Sequence, residues 1–410
     1  MRLVMVVPVF PRLSETFIIN KFIGLVDSGW DVHLICHRIA HNEWAKFAPL
    51  LARSDLQKRV HRQWPHQPRW LVILLWLPAF LMTFLRAPRL MGRYWRNGFR
   101  LYGLKVTKRF YLDAMIIGLS PDIVHYEFGA LAVGKTYLKQ SLGCRLSVSF
   151  RGYDLNYVGL ENPDHYAPVW TTADAVHVLG RDLWRKAQQR GCPEDKPHLL
   201  IAPAINLSFF EPTPKAQPAS SSAAERPLRI LSVGRLEWKK GYEYALNAVK
   251  IIKDAGISFE YHIIGAGNYL ESLTFARYQM GLEEQVQFLG GRSQPEVLNE
   301  MHWADVLLHP AVSEGFSNAV LEAQAMKLPV VCSDADGLPE NVADGVSGFV
   351  VPRRNPNALA EKLSLLAGDS GLRRQMGAAG RARVENCFRY EDQIAAFDRF
   401  YREIVANGAH

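Results

Sequence analysis

Cysteine is scarce in this 410-residue chain. The five present, Cys36, Cys144, Cys192, Cys332 and Cys387, are odd in number and far apart. None has the spacing of a metal ligand set, which argues against a disulfide scaffold or a structural zinc and for a reducing compartment. Long apolar runs are lacking too. The uncharged stretch "WLVILLWLPAFLMTFL", Trp70 to Leu85, is sixteen residues with Pro78 in its middle, short of the roughly twenty that a membrane-spanning helix needs. The N-terminus "MRLVMVVPVF" has only Arg2 as a basic flank and no small-residue cleavage site, so it reads as a first strand and not as a signal peptide. A Gly-rich turn is missing after that strand, where "VPVFPRLSE" stands instead, and this excludes an NAD-linked dehydrogenase.

Acid is nearly absent between Leu50 and Phe110. Thirteen Lys or Arg face the single carboxylate Asp55 there, a local excess of +12 in a chain whose net charge is +8. The basic character is therefore one patch, which calls for an anionic partner at one place. No nucleic-acid recognition motif accompanies it. Trp64, Trp70, Trp76 and Trp95 among these arginines give the segment the composition of one that lies on anionic lipid. A buried helix and a true span are the alternatives, and the length of the run with Pro78 inside it favours the surface placement.

What remains is an ordinary globular composition, 48% hydrophobic and 21% charged, so disorder is not the default, and the length suits two domains. "RLVMVVP", "WDVHLIC", "PDIVHYEFG", "RLSVSFRGYD" and "ADAVHVLG" read as buried parallel strands. Between the first two, Ser14 is placed to cap a helix with Glu15 in its first turn and an apolar stripe behind. Residues 211–227, "EPTPKAQPASSSAAERP", have linker composition. The alternation then restarts with "LRILSVGRL", the helical "GYEYALNAVKIIKDAG", "FEYHIIGAG", "VQFLGG", "DVLLHPAV", "PVVCSD" and "GFVV". The expected fold is α/β, two doubly wound Rossmann-like domains facing across a cleft, with ligands beyond the carboxyl ends of the strands. The expected boundaries are residues 1–210, linker 211–227, a second domain 228–385 and a C-terminal helix over 386–410 that packs back on the first domain.

Three stretches carry chemistry. In "VGRLEWKKG", Arg235 follows a strand and Lys240 precedes a helix, an arrangement suited to a diphosphate, with solvated surface charge as the plain alternative. "IIGAG" supplies Gly265 and Gly267, where backbone can approach a ligand. In "HPAVSEGFSNAVLEA", Glu314 stands at a strand end and Glu322 eight residues on. Were that span helical throughout, they would lie about 12 Å apart along the axis, too far for a glycosidase pair at about 5–9.5 Å, so two hydroxyl grips on an elongated ligand fit better. "SDADG" contains an Asp-x-Asp, but its place after a strand points to loop chemistry and not to a metal.

"SEGFSNAVLEAQAMKLPVV" followed by "GLPENVADGVSGFVVP" resembles the signature of glycosyltransferase family 4, nucleotide-sugar enzymes of the GT-B fold, densely over residues 230–352 and more loosely over 1–40 and 120–210. The resemblance implies that Glu314 contacts the transferred sugar, Glu322 the ribose hydroxyls, and Arg235 with Lys240 the diphosphate. Gly315, Phe316, Ser317 and Asn318 match the helix start that meets sugar and phosphates, and Gly290 and Arg292 in "FLGGRS" fall where backbone recognises the base. "FPRLSETFI" resembles the start of bacterial exopolysaccharide and lipopolysaccharide enzymes, so Arg12, Ser14, Glu15 and Thr16 are candidate acceptor or diphosphate contacts. Many relatives have histidine where Arg151 stands in "SFRGYD". Arginine is no general base, which suits a front-face retaining mechanism in which the leaving phosphate takes the acceptor proton. Arg151 and Asp154 then position the acceptor or form a structural ion pair. His125 is either cleft-facing or a satisfied strand-end histidine.

The expectation is a retaining, metal-independent glycosyltransferase with no cofactor, peripheral on the inner face of the cytoplasmic membrane. Its partners would be a UDP- or GDP-sugar donor and a polyprenyl-diphosphate-linked saccharide acceptor, with no nucleic acid. Rivals are a same-fold nucleotide-sugar epimerase and a non-catalytic two-domain sugar-binding protein, the latter disfavoured because a neutral sugar does not require Arg235 and Lys240.

Overall fold

Buried apolar runs alternating with helices form two parallel sheets in a computed structural model that describes residues 1–12, 15–45, 47–212 and 226–406. Ser14 and most of the expected linker lie outside the described residues. The chain divides into two compact units. The first is Met1–Val178, Trp184–Ile201 and the chain from Ile394 onward, and the second is Leu179–Leu183 with Ala202–Gln393.

The first unit's strands are β1 (Arg2–Phe10), β2 (Asp31–Ile39), β3 (Val60–Arg62), β4 (Ile123–Tyr126), β5 (Arg145–Phe150), β6 (Ala175–Val178) and β7 (His198–Leu200). They pair in parallel in the order β3-β2-β1-β4-β5-β6-β7. β1 is central, with Leu3, Met5 and Val7 fully enclosed, because a strand with helices over both faces is apolar on both. The three-residue edge strands β3 and β7 are too short for periodicity to reveal. The helix Thr16–Asp27 follows β1, and its N-cap Glu15 makes no side-chain capping bond to the helix amides. The last helix, Tyr390–Ala406, buries Ile394, Phe397, Tyr401 and Ile404, the i, i+3, i+4 stripe of a helix lying on a core. Phe397 and Tyr401 join the cluster built on β1 and β2, and Asp398 accepts the indole proton of Trp30 at 2.7 Å. Each such apolar side chain contributes about 1.5–3 kcal/mol by burial.

The basic segment folds into helices, among them Arg69–Arg86, Pro88–Tyr102 and Val106–Leu119. The run around Pro78 is helical from end to end and is not buried: only Ala79 and Thr83 are enclosed. Trp70, Ile73, Leu74, Leu77, Leu81, Phe84 and Leu85 are exposed. By length and composition alone this helix is long and apolar enough to cross a membrane. Of the four tryptophans expected at an interface, Trp70 is exposed, whereas Trp76 and Trp95 stack into a cluster with Phe80 and Phe110. Both are half-buried, and each ring finds aromatic partners at 5.1–5.9 Å.

The second unit holds β8 (Leu228–Val233), β9 (Phe259–Ile264), β10 (Val286–Gly290), β11 (Val306–His309), β12 (Val330–Ser333) and β13 (Gly348–Val351). All pair in parallel, in the order β10-β9-β8-β11-β12-β13. Strand order reverses between β8 and β11, the point of such a sheet where loops leave in opposite directions and open a crevice for a ligand.

Candidate active site

The residues predicted to bind a diphosphate and a sugar flank that reversal. β8 ends at Val233 and leads through Gly234 and Arg235 into a short 3-10 turn, Trp238–Lys240, and then the helix Tyr242–Asp254. Gly241 joins turn to helix with φ +67°, and a Cβ there would lie 2.2 Å from the Pro310 carbonyl oxygen. Only glycine serves both demands, so the loop after β8 is pressed against the start of the loop after β11. Tyr242, buried, donates its hydroxyl to the Gly234 carbonyl at 2.9 Å and pins the other end of the same loop.

Across the reversal, β11 ends at His309 and the chain turns through "PAVSEGF" into the helix Asn318–Ala325. Its N-cap is Ser317, whose hydroxyl accepts from the Val320 amide. Asn341 fixes this helix start, accepting from the Ser317 amide at 3.2 Å and donating to the Ser317 carbonyl at 3.0 Å. The helix starts only at Asn318, so Glu314 lies in the preceding turn and the uninterrupted helical span between the two glutamates does not form. Phe316 is buried against Phe388.

Lys240 donates to the Glu314 carboxylate, which His309 also approaches, Nε2 to Oε2 at 3.4 Å. Burial alone would raise the Glu314 carboxyl, but Lys240 and His309 more than offset it and hold the group down to about 2. Burial, assisted by the Lys240 charge, keeps the His309 imidazole below its ordinary range. Sequence reading passed over His309. Its signal was a polar residue ending an apolar strand, five residues before Glu314. Glu322 has no such partner to counter burial, which holds its carboxyl up to about 7. Arg235 stays more exposed, its Nη1 at 2.6 Å from Glu237.

The remaining predicted donor contacts take varied places. Gly265 and Gly267 have a packing reason. A Cβ on either would fall 1.9 Å from the Gly234 oxygen or 2.2 Å from the Leu236 oxygen, so they seat the Arg235 loop and their open face is filled by it. Gly290 ends β10 and accepts from the Gly265 amide at 2.9 Å. Arg292 pairs at the surface with Glu296 at 3.1 Å. The Asp-x-Asp does loop work: Asp336 accepts from the Ser313 hydroxyl at 2.6 Å and the Glu314 amide at 3.1 Å, and Arg353 joins Asp334 at 3.0 Å. Among the described residues, no three His, Cys, Asp or Glu side chains gather as metal ligands.

The predicted acceptor residues belong to the first unit. Arg12 and Glu15 pair at 3.1 Å after β1, and Thr16 opens the following helix. His125 is fully enclosed, with Ser147 at 2.8 Å and Ser149 at 2.9 Å, so it is the satisfied strand-end histidine and not a residue of an open cleft. Asp154 is also enclosed. Its carboxylate accepts the amides of Arg151 at 3.0 Å and Ala130 at 2.9 Å, which makes it a helix cap and leaves it no acceptor to touch. Arg151 lies over the Phe17 ring and donates to Glu127 at 2.8 Å. Glu127 is the buried acid that sequence reading missed: it also holds Lys21 at 2.7 Å, deep against Phe397. Lys21 and Arg151 keep the Glu127 carboxyl well below its usual range against the effect of burial, while burial draws Lys21 down to about 8.

This chain and this fold have known counterparts. Residues 215–383 match the model of glycosyl transferases group 1. The chain is 30% identical over 405 residues to the amylovoran biosynthesis glycosyltransferase of Erwinia amylovora, covering 92% of this chain and 94% of that protein. It is 28% identical over 382 residues, 87% of this chain and 88% of the other, to an Escherichia coli K12 protein assigned as a colanic acid biosynthesis glycosyltransferase. Among solved structures, the Anabaena protein HepE in complex with UDP and glucose superposes with a TM-score of 0.73 at 14% identity, over 98% of this chain and 100% of that one. The chain belongs to the group 1 glycosyltransferases of GT-B fold, in the company of the enzymes that build bacterial exopolysaccharides.

Proposed function

We propose that this glycosyltransferase moves a sugar, with retention of configuration, from a UDP- or GDP-sugar to a lipid-linked saccharide on the inner face of the cytoplasmic membrane during surface polysaccharide synthesis. The observation that carries the reading is Lys240 meeting Glu314 where strand order reverses between β8 and β11. A cation and an anion there divide a nucleotide sugar between them. Lys240 and Arg235 take the diphosphate, and Glu314, held ionised, accepts hydroxyls of the sugar. His309 keeps Glu314 aimed. Glu322 accepts the ribose hydroxyls, which favours its ionised form.

As the bond from the anomeric carbon to the diphosphate breaks, negative charge grows on the leaving oxygen. Lys240 and Arg235 stabilise it without a metal, and preorganised donors of this kind lower barriers because they need no reorganisation. The leaving oxygen takes the proton of the acceptor hydroxyl as that hydroxyl attacks from the same face, so no side-chain base is required. Arg151, occupied by Glu127 and unable to release its proton, suits such a course. The HepE complex with UDP and glucose supports a nucleotide-sugar donor in this fold. The exposed apolar helix and its arginines support membrane contact.

The test is a transfer assay with a panel of UDP- and GDP-sugars, a polyprenyl-diphosphate saccharide and NMR of the product's anomeric signal. Retained configuration and full activity in EDTA are expected. Inversion, donor isomerisation without transfer, or an EDTA loss restored by Mg²⁺ overturns the reading.

A further inference from the structure

At the carboxyl ends of β2 and β3 the first unit opens into a cavity of about 930 Å³. Five of its lining side chains are basic or imidazole, His37, His66, Arg69, Lys108 and Lys135, and no carboxylate lines it among the described residues. Asp113, which the lining residue Lys135 meets at 2.5 Å, is buried and is also engaged by the hydroxyls of Tyr94 and Tyr137. One ammonium proton of Lys135 satisfies that bond, which leaves donors for a ligand. Partial desolvation holds the His37 imidazole below its ordinary range, and the charges of His66 and Lys135 act in the same direction. The floor is rigid, since Gln63 donates to the Leu112 carbonyl at 2.8 Å and Tyr111 to the Pro65 carbonyl at 2.9 Å.

One wall of this cationic cavity is apolar. Val72 and Ile73, from the first turns of the helix Arg69–Arg86, line it. Ile73 is 78% exposed and continues into the exposed Leu74, Leu77 and Leu81. The cavity and the apolar face therefore form one continuous surface, positive and polar at one end and hydrocarbon-like along the other. A ligand matching both halves carries several negative charges on one end and a long aliphatic chain on the other.

We propose that this cavity binds the diphosphate end of a membrane-embedded prenyl lipid whose hydrocarbon runs along the exposed face of Arg69–Arg86. The proposal deepens the lipid-linked acceptor reading and rests on it: it gives that acceptor's phosphates a seat separate from Arg235 and Lys240. A bulk phospholipid has a single phosphate diester and needs no cavity. The acceptor's diphosphate, esterified at both ends, still brings two charges and more acceptor oxygens to Arg69, Lys108 and Lys135, so affinity should exceed what surface charge alone gives.

The test is co-sedimentation of the full chain with phosphatidylcholine vesicles doped with farnesyl diphosphate, against vesicles brought to the same surface charge with phosphatidylglycerol. The wild type should favour the diphosphate vesicles by about tenfold. Arg69→Ala/Lys108→Ala, two exposed positions, should lose that preference while still binding phosphatidylglycerol vesicles and while still being heat-stabilised by the donor nucleotide sugar. Equal binding to both vesicle types, or an undiminished preference in the double variant, overturns the site. So does inorganic pyrophosphate that displaces the chain at equal concentration, since the hydrocarbon would then contribute nothing. Absence of the preference in a wild-type chain that its donor still stabilises refutes this site alone. A chain that no nucleotide sugar stabilises refutes the donor reading along with it.

Discussion

The ammonium of Lys240, on the turn after β8, closes on the carboxylate of Glu314, on the turn after β11, across the point where the sheet's strand order reverses. Each group is mostly shielded from water, so each neutralises the other until a ligand separates their tasks. In the proposed reading a nucleotide sugar does so, bringing a diphosphate to the lysine and hydroxyls to the glutamate. On that reading the pair is a preassembled site in a closed electrostatic state.

Removing the cation should therefore harm turnover more than folding. Lys240→Ala is expected to lower kcat/KM by about 10²–10³, the scale of deleting one preorganised charge donor, with a melting temperature within a few degrees of wild type. Steady-state kinetics beside a thermal melt checks this. A folded variant with near-normal turnover would take Lys240 out of the site.

Glu322 makes an opposite wager, stability against binding. Its carboxyl sits at about 7 in the folded chain against an ordinary 4.5. Below the ordinary value it is protonated in folded and unfolded chains alike and costs nothing. As pH rises toward and past 7 the unfolded chain ionises first, so stability falls across that window. Glu322→Gln should leave the ligand-free melt unchanged near pH 4.5 and raise stability by roughly 1–3 kcal/mol near pH 8. The same change should weaken the donor and abolish the wild type's gain in affinity as pH rises through about 7, because only the ionised carboxylate accepts both ribose hydroxyls. Melts and calorimetric titrations across that range decide it, and an identical pH profile in both proteins would be the contrary result.

Glu127 should matter for folding alone. Glu127→Gln leaves Lys21 and Arg151 without their shared anion in the interior, and breaking a buried pair from one side costs about 3–5 kcal/mol. Urea unfolding measures it. A loss under about 1 kcal/mol, the scale of surface pairs, would show that the network is better hydrated than its burial implies.

On the helix Arg69–Arg86, Leu77→Glu/Leu81→Glu places two charges on the exposed face. Sedimentation with anionic vesicles should drop by about tenfold or more, since each substitution removes apolar contact and adds repulsion, while donor-induced stabilisation is kept. Undiminished sedimentation would mean that this face stays off the membrane.

How far the sequence foretold this depended on how local the signal was. β8, β11 and the turns bearing Lys240 and Glu314 were legible because strand, turn and helix chemistry follow one another within fifteen residues. β3 and β7 were not, as three residues show no period. The Lys21–Glu127–Arg151 network was hidden because its members are 106 and 24 residues apart and meet only in the folded sheet. His125 and Asp154 were drawn to the site by their strand-end positions, yet hydrogen bonds from residues on neighbouring elements close them off. For Gly265 and Gly267 the reason for glycine was read as ligand access, and it proved to be the backbone of the neighbouring loop. Composition marked Trp76 and Trp95 as interfacial and could not show that they also pack on Phe80 and Phe110.

The most direct measurement is thermal stabilisation of the wild type and of Lys240→Ala by a panel of UDP- and GDP-sugars. The site described here predicts that donors of one base class raise the wild-type melting temperature by several degrees when present near a hundred times Kd, and that Lys240→Ala, folded, responds to none at that concentration. A wild type that no nucleotide sugar stabilises, or a Lys240→Ala variant stabilised as strongly as the wild type, would contradict it.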